Sequence, residues 1–181
     1  LPYIIFEHST VQCSSPLGVR KDHHNHSWPH RILLTDDCLE PHPATGYPKP
    51  LLHELGHIYG MVHSHQGPNR DQHLQVNRSN IIPDILGNFA QYGHDMNTIN
   101  GYGKFDYLSI MSYSASQGAI DRRYPVLYLA NPYDPELPKD VMKMMGYTAW
   151  PTSLDFLKID RAYFGWSKKN PFCMSKHIPK T

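Results

Sequence analysis

The segment His53-Glu-Leu-Gly-His57-Ile-Tyr-Gly60-Met-Val-His63 fixes five positions of the pattern H-E-x-x-H-x-x-G-x-x-H within eleven residues. Few features restrict a fold as tightly. Residues four apart share a helix face, so His53 and His57 reach one ion only if this stretch is helical. Zinc takes neutral imidazole nitrogens in a tetrahedral set, and three protein ligands leave one position for water. Glu54 stands beside the first ligand, where it can accept a proton from that water. A helix continued to His63 would carry that side chain round by roughly 100° per residue and away from the ion. Gly60 can take φ > 0, stop the helix and swing the chain back, which makes His63 the third ligand. Two histidines four apart also occur on helices that bind nothing, but five fixed positions make coincidence a poor explanation.

The bulk numbers are compatible with one such site on one domain. The chain has 181 residues, 40% of them apolar, and a formal charge of +1. That supports a core and gives no electrostatic reason to expect nucleic acid or an anionic membrane as partner. No apolar run approaches the ~18–20 residues of a membrane span. The opening LPYIIFEHST has neither a basic n-region nor a long apolar h-region, so it does not read as a signal peptide. The three cysteines, Cys13, Cys38 and Cys173, are an odd count, which in an oxidising compartment leaves one thiol free or bridged elsewhere. Asn25-His-Ser27 and Asn77-Arg-Ser79 match the short N-glycosylation pattern and lean, with the cysteines, toward a secreted protein.

Along the chain, YIIFEH (residues 3–8) and RILLT (31–35) read as strands. A polar, histidine-rich loop (14–27) separates them; its His23, His24 and His26, with the nearby His30, read as solvated. The proline-dense 40–50 segment sets up a helix over Leu51–Tyr59, begun after Pro50 and stopped at Gly60. A helical turn fits Asn80–Gln91, a tight turn around a methionine fits Phe105–Tyr113, and 121–150 reads as loop-rich. A last helix is predicted over Ser153–Phe164, with Thr152 and Asp155 at capping-box spacing. There is no internal repeat and no linker, so residues 1–181 read as a single domain of mixed α+β class.

The extended histidine pattern is that of the metzincin metalloproteases, whose second hallmark is a methionine turn beneath the metal. Ser64, the residue after the third histidine, resembles the matrixins, which commonly carry Ser or Thr there. The methionine turn points elsewhere. Ser109-Ile-Met-Ser-Tyr113 puts its methionine 48 residues beyond His63, a separation that resembles the astacin family and not the matrixins. SIMSY is similar to the astacin S-[IV]-M-H-Y. Arg70-Asp71, "VNRSNIIPDILGNFAQY", "FDYLSIMSY" and "SLDFLKIDRAYF" add to the resemblance, which runs from about Tyr3 to Cys173.

The astacin resemblance implies an α+β metzincin (zincin-like) fold with a twisted sheet, an active-site helix, a methionine turn and a C-terminal helix. It implies Zn2+ bound by His53, His57 and His63, with Tyr113 as a fifth ligand at rest that later hydrogen-bonds the reaction intermediate. Glu54 would be the general base and Met111 the floor of the site. The expected activity is zinc-dependent endopeptidase cleavage of protein or peptide substrates, with the substrate extended along RILLT as edge strand. Cys13 and Cys38 would form an internal disulfide, and Cys173 would be a free thiol or bridge to another chain. Two departures stand out. Ser64 replaces a family glutamate that anchors the mature N-terminus, and an N-terminal portion of the family domain is expected to be absent. These departures motivate a rival expectation, a zinc-binding structural or interaction module with little or no protease activity. His65 is expected to point away from the ion.

Overall fold

The computed structural model describes residues 3–18, 30–92 and 104–163. Two strands, β1 (Ile4–His8) and β2 (His30–Leu34), run parallel. On its other side β2 exchanges both backbone bonds of Leu33 with Ser14, at 2.8 and 3.0 Å, as an antiparallel bridge. At Leu33 the strand predicted at 31–35, RILLT, is therefore not a free edge, because the chain just past Cys13 takes that side. The disulfide Cys13–Cys38 holds that chain in place, with Cα atoms 6.5 Å apart. Ile32, Leu34 and Cys38 pack with Ile58 beneath it.

Helix α1 (Lys49–Ile58) begins two residues earlier than the proline pattern predicts. Pro50 sits in its first turn, where the missing N–H is one that no helical carbonyl would accept. Tyr59 closes the helix and Gly60 follows at φ 91°, so the stop occurs where the sequence places it. A side chain at that φ would clash with its own carbonyl, and glycine avoids the cost. Gly56 matters for a different reason. A Cβ there would lie 2.5 Å from Met111 Sδ, so any larger residue would have to displace the end of the Met111 side chain. Met61, Ile110 and Met111 form the core beneath it, against Leu52, Ile159 and Ala162.

The second half is built from short pieces. β3 (Leu74–Val76) and β4 (Leu127–Leu129) form a two-stranded antiparallel ladder. The turn expected over 80–91 is a 3-10 helix at Pro83–Phe89, preceded by another at Arg78–Asn80. The 121–150 stretch is mostly loop, as read, but contains β4 and a one-turn helix α2 (Val141–Met144). Leu74, Ile81, Phe89, Val126, Leu127 and Met145 make this half's core. Helix α3 (Ser153–Tyr163) closes the described chain. Its capping box is formed: Asp155 N–H donates to Thr152 Oγ1 (3.1 Å) and Thr152 N–H donates to Asp155 Oδ2 (3.0 Å). No helix among the described residues is long and apolar enough to cross a membrane. Cys173, Asn25, His23, His24 and His26 lie outside the described residues.

The contact between Gly56 and Met111 gives a prediction with a change of sign. Gly56→Ala in the native background should cost about 1–3 kcal/mol, because Met111 is fully enclosed and must shift. In a Met111→Ala background the same change should stabilise by up to ~1 kcal/mol, the helix-propensity gain of alanine over glycine. A double-mutant cycle by urea unfolding checks this; equal effects in both backgrounds would mean that the close approach is not what demands glycine.

Candidate metal centre

Three imidazoles converge from two elements. His53 and His57 lie one turn apart on α1, and His63 comes back beneath them after the Gly60 reversal. One ring nitrogen from each falls within 4.8 Å of the other two. Each ring is also fixed from behind. His53 Nδ1–H donates to the Ile110 carbonyl (2.9 Å), His57 Nδ1–H to the Met61 carbonyl (2.7 Å) and His63 Nδ1–H to Gln66 Oε1 (2.9 Å). A carbonyl only accepts, so Nδ1 carries the proton and Nε2 is left with a lone pair.

The lone pairs face one another, with His53 Nε2 and His63 Nε2 3.2 Å apart. With both protons on Nδ1, no hydrogen fills that gap, and the contact is repulsive unless a cation sits between the rings. Two nitrogens bound to one zinc at about 2.0–2.1 Å with a tetrahedral angle stand roughly 3.3–3.4 Å apart. The donor set therefore fits the ion in number and type, and the His53–His63 pair also fits it in spacing. Burial lowers all three pKa values, that of His63 to about 2 with the neighbouring His57 and His53 adding to the effect. The direction is the same for all three rings and favours the neutral form that can ligate.

Glu54 follows His53 and is buried, 7% exposed. Its carboxylate accepts a hydrogen bond from Ser15 Oγ at 2.7 Å. Tyr113 lies with its ring centroid 4.4 Å from those of His63 and His65. Burial, and then the charge of Glu54, raises the pKa of its phenol. Met111 is wholly enclosed below, and its carbonyl accepts from Ser64 N–H (3.1 Å), which ties the methionine turn to the third histidine. His65 turns away, as expected: its Nε2–H donates to the Asn88 carbonyl (2.9 Å), and burial lowers its pKa to about 4. The buried Arg70 guanidinium donates to the carbonyls of His65 and Phe89, both at 2.9 Å, and braces the segment after His63.

All the predicted site residues on the described chain, His53, Glu54, His57, His63, Met111 and Tyr113, come together in one place. Sequence reasoning missed three of their neighbours. Gln66 stands three residues after His63, close enough in sequence for a local turn to have suggested it. Gly56 and Ser15 act through contacts that no spacing rule reaches.

Comparison with known proteins supplies the lineage. The description of the Astacin peptidase family matches residues 2–164. Low choriolytic enzyme of Oryzias latipes is 32% identical over 112 residues, 61% of this chain and 36% of that protein. Flavastacin of Elizabethkingia meningoseptica is 34% identical over 125 residues, 69% of this chain and 24% of that protein. The chain thus spans well under half the length of these relatives. Among solved structures, high choriolytic enzyme 1, a hatching enzyme zinc-protease from Oryzias latipes, superposes with a TM-score of 0.62 at 23% identity, over 88% of this chain and 67% of that one. Myroilysin gives 0.55 at 20%, over 90% and 72%. The fold is that of these proteins, α+β with small sheets, an active-site helix, a methionine turn and a C-terminal helix, and the chain belongs to the astacin family of peptidases.

Proposed function

We propose that this chain is a zinc endopeptidase, one catalytic unit over residues 1–181, that hydrolyses peptide bonds in protein or peptide substrates outside the cell. The observation that carries the reading is the orientation of His53, His57 and His63, each held through Nδ1 with Nε2 turned to a common point, beside the carboxylate of Glu54. The family and the zinc-protease description of a structural neighbour support the same reading. The Cys13–Cys38 disulfide supports an oxidising, extracellular setting.

Zinc on the three Nε2 atoms would supply the Lewis acidity that polarises a peptide carbonyl and brings a water's pKa near neutrality. Glu54 then takes one proton from the attacking water as oxygen bonds to the carbonyl carbon. It returns that proton to the amide nitrogen as the C–N bond breaks, which leaves a carboxyl on one product and an amine on the other. Tyr113 would be a fifth ligand at rest; burial raises the pKa of its phenol, which favours the protonated form that donates a hydrogen bond to the developing oxyanion. Met111 forms an apolar floor that fixes the depth of the rings.

Two measurements test the assignment. Glu54→Gln should retain one equivalent of zinc and lower casein turnover by about 10²–10⁴-fold, the usual worth of a general base. Native turnover in that variant would remove Glu54 from the role. A zinc-loaded wild-type protein that cleaves nothing would favour the rival reading, a zinc-binding structural module. Gln66→Ala removes the acceptor behind His63 and should weaken zinc binding about 10–100-fold in a chelator competition. An unchanged affinity would show that the Gln66 contact does not orient the ligand.

A further inference from the structure

We infer that Ser15 is a positioning residue for Glu54: its hydroxyl holds one carboxylate oxygen and leaves the other for the proton. This rests on the peptidase reading above and adds to it a residue 39 positions away in sequence. The geometry begins at Cys13, tied to Cys38 by the disulfide. Ser14 then exchanges two backbone bonds with Leu33, which fixes its pairing with β2. Successive residues of an extended chain point to opposite sides, and Ser15 is directed onto α1. There Oγ lies 2.7 Å from Glu54 Oε2 and 3.0 Å from the Glu54 backbone carbonyl. A little further on, Gly18 N–H donates to the His57 carbonyl (2.7 Å), so this stretch is fastened to the helix at both ends of the catalytic turn.

A serine hydroxyl has one hydrogen, and here two acceptors on one residue share it. The charged carboxylate, at the shorter distance, takes most of that hydrogen, and the helix-fixed carbonyl is the weaker second acceptor that keeps Oγ close to the helix. Among the described residues Ser15 is the hydrogen-bond partner of this buried carboxylate, and it binds Oε2. A carboxylate that must receive a proton from a water and return it to an amide nitrogen needs one oxygen free and its torsion fixed. Ser15 meets both needs without touching the ion's ligands.

A mere strap between loop and helix would also lose stability on mutation, so the test separates chemistry from folding. Steady-state kinetics on a peptide substrate should show Ser15→Ala lowering kcat about 10–100-fold with KM within about twofold, the scale expected for a misplaced catalytic group. Zinc content should stay at one equivalent. Ser15→Thr, which keeps the hydroxyl, should recover most of the loss. In a Glu54→Asp background, where the carboxylate is already withdrawn from Oγ, Ser15→Ala should add less than about a twofold further loss. Native kcat in Ser15→Ala overturns the inference while leaving the peptidase reading intact. So does a parallel fall in zinc content or melting temperature with no rescue by threonine. An inactive wild-type protein overturns both.

Discussion

The Asp155 carboxylate is the contact on which the arrangement of the site most depends. It is 1% exposed, and a carboxylate this deep is tolerable only if its oxygens are bonded. Ser109 Oγ donates to it at 2.6 Å, and the backbone N–H groups of Ile110 and Thr152 at 3.0 Å. One side chain thus caps α3 and fixes the peptides of the methionine turn. The effect continues to the metal ligands. The Ile110 N–H is held by Asp155, and the Ile110 carbonyl orients His53. Met111, the next residue, meets α1 where Gly56 lets it approach and accepts the Ser64 N–H through its own carbonyl. Through the Asp155 side chain and the peptides of the methionine turn, α3 therefore reaches His53 and the residue that follows His63.

Two residues that differ from the astacin pattern, Ser64 and Ser112, gain a physical account in the same region. Ser64 stands where the family resemblance implies glutamate, and Ser112 where it implies the histidine of S-[IV]-M-H-Y. They are in contact: Ser112 Oγ donates to Ser64 Oγ at 3.1 Å, with both side chains buried. Ser64 Oγ accepts the Ser112 hydroxyl, and both side chains are neutral, so neither position buries a charge. Besides Asp155, charged side chains nearby are Asp106 and Lys158, both buried, beside a cavity of about 10 Å3 that Ser64 also lines. Burial pushes the Asp106 carboxyl up, while the Thr152 hydroxyl and the Lys158 charge favour its ionised form. Among the described residues, the polar interior behind the third histidine is lined by side chains from the methionine turn and α3.

The legible parts of the molecule were those governed by local spacing. The i, i+4 histidines and Gly60 describe a helix and its stop, and Thr152 with Asp155 describes a cap. The methionine turn was legible because SIMSY stands at a separation that distinguishes one family from another. The missed parts depend on partners distant in sequence. RILLT reads as an edge strand until Ser14 is seen on its other side, and nothing in the polar stretch after Cys13 announces that pairing. β3 and β4 have three residues each, too few for an alternation to register. Gly56 looks like an ordinary helix residue until Met111 is placed against it, and Ser15 like an ordinary loop serine until Glu54 is.

The two supports of the site are separable. His53 is set from the methionine turn, His57 from the carbonyl of Met61 just past its own helix, and His63 from Gln66, so the metal-facing nitrogens are oriented by three contacts that do not share a partner. Glu54 is set from the opposite side, by a segment that the disulfide and β2 hold against α1. A disturbance in α3 or the methionine turn travels through Ile110 to a ligand and changes how an ion is held. One in the Cys13–Gly18 segment reaches the carboxylate through Ser15 and changes how a proton is moved. The helix lies between the two, with ligand and base one residue apart, and this lets a single turn of α1 serve both purposes while each is positioned by a different part of the fold.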